Sequence, residues 1–345
     1  MPEPAGLLHG PDAQAALAAG TGLRLAGGPA VFTLLRQAGT VVTALEGVAR
    51  WPAAVARLTA PVPDWANLGP GPLVMGILNT TPDSFSDGGD RLDPAAAIEA
   101  GHAMLSRGAD ILDIGGESTR PGSPPVPPEE EQARILPVVA ALARTGAAIS
   151  VDTRNAATMG RALDAGARIV NDVSALSWDP ASARVVAEAG CPVILMHMRG
   201  TPATMSAHAH YTDVAAEVAA ELQSRIAAAI AAGISPDQIA VDPGFGFAKT
   251  PEQNLDLLQR LPILAHLGAP IVAGISRKAT IGMLTGEREA RRRDPGSIAA
   301  ALSCLNRGAR LLRVHDVPGT RQAVAVWTAL NNPPADTNTP RHART

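Results

Sequence analysis

The feature that most constrains this fold is a recurrence of short apolar runs at residues 73–78, 111–114, 147–151, 168–170, 192–196, 239–241, 270–273 and 310–314, with longer Ala-rich stretches between them. Runs that lack a polar alternate match strands buried on both faces, which belong to parallel sheets covered by helices. The intervening stretches, among them 94–107, 129–143, 155–165, 213–232, 251–264 and 297–307, carry helical spacing. Several stop at a glycine (Gly108, Gly166, Gly233, Gly308), the residue that best tolerates the left-handed backbone past a helix end. About eight strand–helix repeats predict an α/β fold of the (β/α)8 TIM-barrel kind. Periodicity alone also admits a doubly wound open sheet, although no Gly-x-Gly-x-x-Gly opens a first helix.

A length of 345 residues accommodates one barrel, over residues 72–330, plus an appendage. Residues 1–71 precede the first barrel run and predict a small N-terminal α/β appendage. Apolar segments 31–35 and 41–45 read as strands, followed by a helix near 53–58. Residues 331–345, with Pro333, Pro334 and Pro340, read as a disordered tail. The formal charge of −3 and the lack of a basic run argue against nucleic acid and membrane surfaces as partners, so an anionic ligand needs locally placed cations. No signal-type N-terminus or bilayer-length apolar run occurs, which gives a cytoplasmic expectation. Cys191 and Cys304 stand far apart without metal-ligand spacing, so neither a disulfide framework nor a zinc site is expected.

Barrel proteins place their ligands at the C-terminal ends of the strands. Asn79, Asp113, Asp152, Asn171, His197, Asp242, Ser276 and Arg313 all fall at or just after such an end. One strand-end Asp before Pro or Thr is well explained as a turn residue. A whole rim of polar residues is not.

The segments around those residues carry a specific pattern. Met75-Gly76-Ile77-Leu78-Asn79-Thr80-Thr81-Pro82-Asp83-Ser84-Phe85-Ser86-Asp87-Gly88-Gly89 runs a strand into a small polar loop, and Asp110-Ile111-Leu112-Asp113-Ile114-Gly115-Gly116-Glu117-Ser118-Thr119-Arg120-Pro121-Gly122 does the same. Ser150-Val151-Asp152-Thr153, Asn171-Asp172-Val173-Ser174, Met196-His197-Met198, Asp242-Pro243-Gly244-Phe245-Gly246-Phe247, Ser276-Arg277-Lys278 and Arg313-Val314-His315-Asp316-Val317 follow in order. This set closely resembles the dihydropteroate synthase family, the folate-pathway enzymes that sulfonamides inhibit.

The resemblance implies condensation of 6-hydroxymethyl-7,8-dihydropterin diphosphate with p-aminobenzoate to give 7,8-dihydropteroate and pyrophosphate. It implies a pterin pocket of Asp152, Asn171, Met196, Asp242, Phe247 and Lys278, whose acceptors, amide and cation complement the donors and acceptors of a 2-amino-4-oxo pterin. Asn79, Arg313 and His315 are implied to bind the diphosphate, with Asn79 as an oxygen ligand to a hydrated Mg²⁺. Asp152, Lys278, Arg313 and His315 would carry catalysis by stabilising developing charge. Phe85, Thr119, Arg120, Pro121 and Ser276 are implied for p-aminobenzoate. A homodimer formed through helices within residues 251–330 is implied as well.

Two other readings share the pterin barrel. A methyl-tetrahydrofolate:corrinoid methyltransferase would not need the Phe85-Ser86-Asp87-Gly88-Gly89 loop, the Ser118-Thr119-Arg120-Pro121-Gly122 loop or Arg313-Val314-His315. A non-catalytic pterin-binding paralogue is disfavoured because no motif residue is missing. The sequence departs from the family pattern at Thr80 and at Arg154-Asn155, none of which touches a proposed chemical group.

Overall fold

The computed structural model describes residues 1–81, 93–119 and 122–331. Phe85, Arg120 and Pro121 lie outside them, as does the expected tail beyond Asn331. The chain opens with β1 (Glu3–Leu8), α1 (Gly10–Ala18), β2 (Leu23–Arg24), β3 (Val31–Gln37), β4 (Thr40–Thr43), α2 (Ala44–Arg50) and α3 (Pro52–Thr59). Strand β3 pairs antiparallel with β1, β2 and β4, so these residues make a small sheet of their own. Helix α2 starts at a capping box, in which Thr43 accepts from Glu46 N and the Glu46 carboxylate accepts from Thr43 N.

The barrel follows: β5 (Leu73–Asn79), α4 (Pro94–Ser106), β6 (Ile111–Gly115), α5 (Pro128–Ala143), β7 (Ala148–Asp152), α6 (Ala156–Asp164), β8 (Ile169–Asp172), α7 (Ser182–Ala189), β9 (Val193–Met196), α8 (Val214–Ala231), β10 (Ile239–Asp242), α9 (Pro251–Gln259), β11 (Ile271–Ala273), α10 (Ala279–Thr285), α11 (Asp294–Leu305), β12 (Ala309–Val314) and α12 (Val317–Asn331). Strands β5 to β12 are parallel and close on themselves through β12 and β5, which makes the sheet a barrel and excludes the open doubly wound alternative. The predicted helix 251–264 is split. It stops at Gln259 and continues as a 3-10 segment, Leu261–Leu267, because Pro262 has no N–H for an α-helical bond and restricts the residue before it. Asn331, expected in the tail, instead ends α12, buried, with its Nδ2 donating to Trp327 O at 2.8 Å.

Two apolar bodies flank the sheet. The larger fills the space between strands and helices, while a second layer, with Met75, Ile111, Ile169, Ile194, Val272 and Leu311, fills the barrel's lower interior. Trp65, in the linker between α3 and β5, is fully buried against that layer and donates from Nε1 to Gln238 O at 2.7 Å. The linker is tied from the other side by Arg310, which donates to the carbonyls of Pro63 (2.7 Å) and Gly69.

The N-terminal sheet docks on the 3-10 segment: Leu25, Phe32, Leu35, Val55 and Leu58 share one apolar cluster with Ala265. Its polar seal is Glu3, which accepts from Arg260 Nε at 3.0 Å, and Pro2 O, which faces His266 Nε2 at 2.7 Å. Among the described residues no helix is long and apolar enough to cross a membrane.

Candidate active site

The strands deliver their polar residues to one end. Asn79, Asp152 and Asp242 are the last residues of β5, β7 and β10, Asn171 and Arg313 are next to last in β8 and β12, and His197 follows β9 directly. A cleft opens there, and its wall includes Thr119, Asp152, Asn171, Met196, Asp242, Phe247, Lys278 and Arg313. The pterin-pocket residues expected from the sequence are therefore all brought together. Glycines make the room. A Cβ at Gly274 would stand 3.2 Å from Asp242 Oδ2, and one at Gly244 would stand 2.0 Å from His197 O on a backbone already at φ +68°. With that close approach, Gly244 N donates to Asp242 Oδ1 at 2.7 Å and fixes one edge of the carboxylate.

Charge in the cleft centres on Arg313. Its Nε donates to Asp113 Oδ2 at 2.6 Å and its Nη2 to Asp152 Oδ2 at 2.5 Å. Asp113 also accepts from Asn171 Nδ2 at 3.0 Å, while its Oδ1 is buried without a partner among the described residues. Asp113 thus orients both Arg313 and Asn171, a role that the sequence reading did not give it. The strand register explains the omission: Asp113 lies beside Ile77 and Ser150, two residues below the level where Gly115 pairs with Asp152. Burial holds the carboxyl of Asp152 well above its ordinary range, against the pull of Arg313, with Asp113 and Glu131 adding to the rise. Burial also raises Asp242, opposed by Gly244 N and by the Arg313 and Lys278 cations. The Lys278 ammonium lies 4.2 Å from the centroid of the Phe247 ring, a cation–π contact at the cleft wall.

His315 and Ser276 sit beside the cleft and pair with each other. Their Nδ1 and Oγ are 2.9 Å apart, and His315 N donates to the same hydroxyl at 3.2 Å. Burial, with Arg277, Arg313 and Lys278 nearby, pushes the His315 imidazole down to about 3, so it is neutral at physiological pH. The ring offers a hydrogen bond and no charge. His197, nominated at the rim, braces the wall from behind: its Nε2 meets Glu221 Oε2 at 3.0 Å and its Nδ1 meets Lys249 Nζ at 3.0 Å. Lys249 in turn donates to the carbonyls of Gly244 and Phe247. Lys249 has no place among the residues expected from the sequence: it ends a glycine-rich apolar loop, and only its burial shows that it points inward. Among the described residues no group of three or more His, Cys, Asp or Glu side chains could cage a metal ion.

Residues 75–315 match the family model described as pterin binding enzyme. A dihydropteroate synthase of Neisseria meningitidis serogroup C is 49% identical over 262 residues, covering 75% of this chain and 93% of that protein. The chain belongs to the dihydropteroate synthase family. Solved structures agree. The Xanthomonas albilineans dihydropteroate synthase with 4-aminobenzoic acid superimposes with a TM-score of 0.74 at 48% identity, over 79% of this chain and 99% of that one. The same organism's enzyme in complex with 7,8-dihydropteroate gives 0.71 at 46% identity, over 79% and 100%. The match to the pterin binding enzyme model starts at Met75 in β5 and ends at His315 just past β12, so the pattern it describes coincides with the closed barrel. The N-terminal sheet lies wholly before it.

Proposed function

We propose that this chain condenses 6-hydroxymethyl-7,8-dihydropterin diphosphate with p-aminobenzoate, forming 7,8-dihydropteroate and releasing pyrophosphate. The observation that carries this reading is the convergence of Asp152, Asn171, Asp242 and Lys278 on one cleft, in a chain 46% identical to a synthase solved with 7,8-dihydropteroate. Asp242, fixed by Gly244 N, accepts from the amino-pyrimidine edge, and Asn171, fixed by Asp113, offers its amide. Lys278 donates toward O4 and N5, and Met196 and Phe247 supply apolar surface for the ring. A buried polar set of this kind rejects analogues that leave its members unpaired.

Arg313 enters the cleft already balanced by two carboxylates, which hold it extended for the developing negative charge of the leaving diphosphate. Asp152 stabilises positive charge on the pterin as the C9–O bond breaks. The arylamine nitrogen then bonds C9, the diphosphate leaves with the bonding electrons, and the amine proton passes to solvent. Thr119 and Ser276 serve p-aminobenzoate, and the family pattern adds Phe85, Arg120 and Pro121. His315 contributes a neutral hydrogen bond. Asn79 provides one side-chain oxygen, which suits Mg²⁺, an ion that keeps most of its waters and takes substrate phosphate oxygens. Bound there, Mg²⁺ would neutralise diphosphate charge. A homodimer acting in the cytoplasm completes the proposal, and the exposed apolar Met283, Leu284, Val326 and Leu330 on α10 and α12 support the dimer.

The deciding experiment is a coupled pyrophosphate-release assay with each substrate alone and with both. Release that needs both substrates is expected. Pterin binding without release would identify a non-catalytic paralogue.

A further inference from the structure

The connection from β6 to α5 leaves the barrel at Gly116 and returns at Pro127, and one carboxylate closes its neck. Glu117, at the start, accepts from Val126 N at 3.2 Å with Oε1, so the two stems are held together. The same carboxylate is gripped by Arg154, from Nε to Oε2 at 3.1 Å and from Nη2 to Oε1 at 2.7 Å. Both side chains of this pair are 5% exposed. Trp178 covers the guanidinium, with Arg154 Cζ 4.0 Å from the ring centroid.

The backbone that carries the indole is itself anchored. Trp178 N donates to Ser174 Oγ at 3.2 Å, and that hydroxyl donates to Asp172 Oδ1 at 2.7 Å, beside Asn171 at the end of β8. Within this turn Ala175 and Leu176 stand at φ +50° and +61°, a region that L side chains avoid unless the surroundings fix it. Asp172 supplies that fixing by also accepting from Ser174 N and Leu176 N. A connected stack therefore runs from the ends of β7 and β8 to the neck of the connection that brings Thr119 to the cleft.

We propose that Arg154, clamped between Glu117 and Trp178, is a positioning residue for the p-aminobenzoate side of the site. The proposal rests on the reaction given above and adds two residues, Arg154 and Trp178, to which the motifs assign no role. A buried ion pair contributes little net stability once desolvation is counted, and its use here is to hold geometry. Loosening the neck displaces Thr119, two residues from Glu117. Asn171 in β8, Asp242 in β10 and Lys278 at the start of α10 are carried by other elements and stay in place.

The test compares Arg154→Met, Trp178→Ala and Trp178→Phe with the wild type by steady-state kinetics, pterin calorimetry and thermal melting. Trp178 is 47% exposed, so its truncation leaves the core packed. The expected result is a p-aminobenzoate KM raised about tenfold in Arg154→Met, the equivalent of one charge-assisted hydrogen bond. A smaller rise is expected in Trp178→Ala, a wild-type KM in Trp178→Phe, and a pterin Kd within about twofold of wild type throughout. An unmoved KM overturns the clamp, as does an equal loss for both substrates or a lower active fraction with unchanged KM. Wild-type turnover separates the two proposals. If it is absent, the reaction reading falls and the clamp with it; if it is present and KM is unmoved, the clamp falls alone.

Discussion

Strand β12 carries an arginine near each end, and the two are used in opposite ways. Arg310, at the lower end, is buried and spends its guanidinium on the chain's own carbonyls, those of Pro63 and Gly69, with Asp64 at 3.3 Å. Arg313, at the upper end, faces a cleft and is matched by Asp113 and Asp152. Below, apolar residues and Trp65 fill the interior. Above, carboxylates, an amide and a lysine line an open space. The same side chain is a staple where most of its partners are backbone carbonyls and no ligand enters, and an instrument of charge where two carboxylates hold it at an open cleft. Location in the barrel, more than residue type, decides which.

The contrast breaks most visibly at Trp65. Trp65→Ala should lose about 3–5 kcal/mol of stability by opening a cavity at the barrel floor. Turnover per folded molecule should stay at the wild-type value, read by chemical denaturation alongside active-site titration. Next, Arg313→Met should lower kcat by about 10²–10³-fold, the scale of losing one donor to developing negative charge. A variant of Arg313 with intact kcat would make that residue a second staple. Arg310→Met should cost about 2–3 kcal/mol of stability, for carbonyls left without a donor, and leave kcat unchanged. Equal kinetic defects at Arg310 and Arg313 would erase the distinction between the two ends.

The smallest effect sharpens the comparison through pH. Because burial raises Asp242, protonation sets in at a higher pH than for an exposed aspartate, and the protonated form cannot accept the full set of pterin donors. Pterin affinity should therefore fall as pH drops through that raised value, by up to about tenfold per unit below it. Asp242→Asn should bind more weakly and lack this dependence. Calorimetry between about pH 4 and pH 7 is the check.

The upper rim was legible in the sequence because strands buried on both faces leave unbroken apolar runs, and the first polar residue after each run marks where the barrel ends. Asn79, Asp152, Asn171, His197 and Asp242 could be gathered that way, whereas Lys278 came only with the family's motif. Asp113 shows the limit. Its depth follows from the register between β6 and β7, a relation between segments that neither segment carries alone. His315 shows a second limit, since its neutrality comes from burial and from cations brought in by other parts of the chain. Trp65 was hidden for the opposite reason. Its neighbours in sequence are Pro, Asp, Asn and Gly, a linker composition, and its partners all arrive from the barrel floor.

The docking of the N-terminal sheet also bears on how the chain is made. Glu3 meets Arg260 across 257 residues, and the apolar face of Leu25, Phe32 and Leu35 is completed by Ala265. The strands of the small sheet leave the ribosome first and can pair at once, since β3 and β4 are adjacent in sequence. Their docking surface is translated far later. At bacterial or eukaryotic elongation rates the wait is on the order of ten seconds or more, during which a finished sheet presents an uncovered apolar face to the cell. Chaperone demand during synthesis should accordingly track the interval between translation of residues 37 and 267, and slow codons placed within that interval should lower the yield of folded protein more than the same codons placed after it.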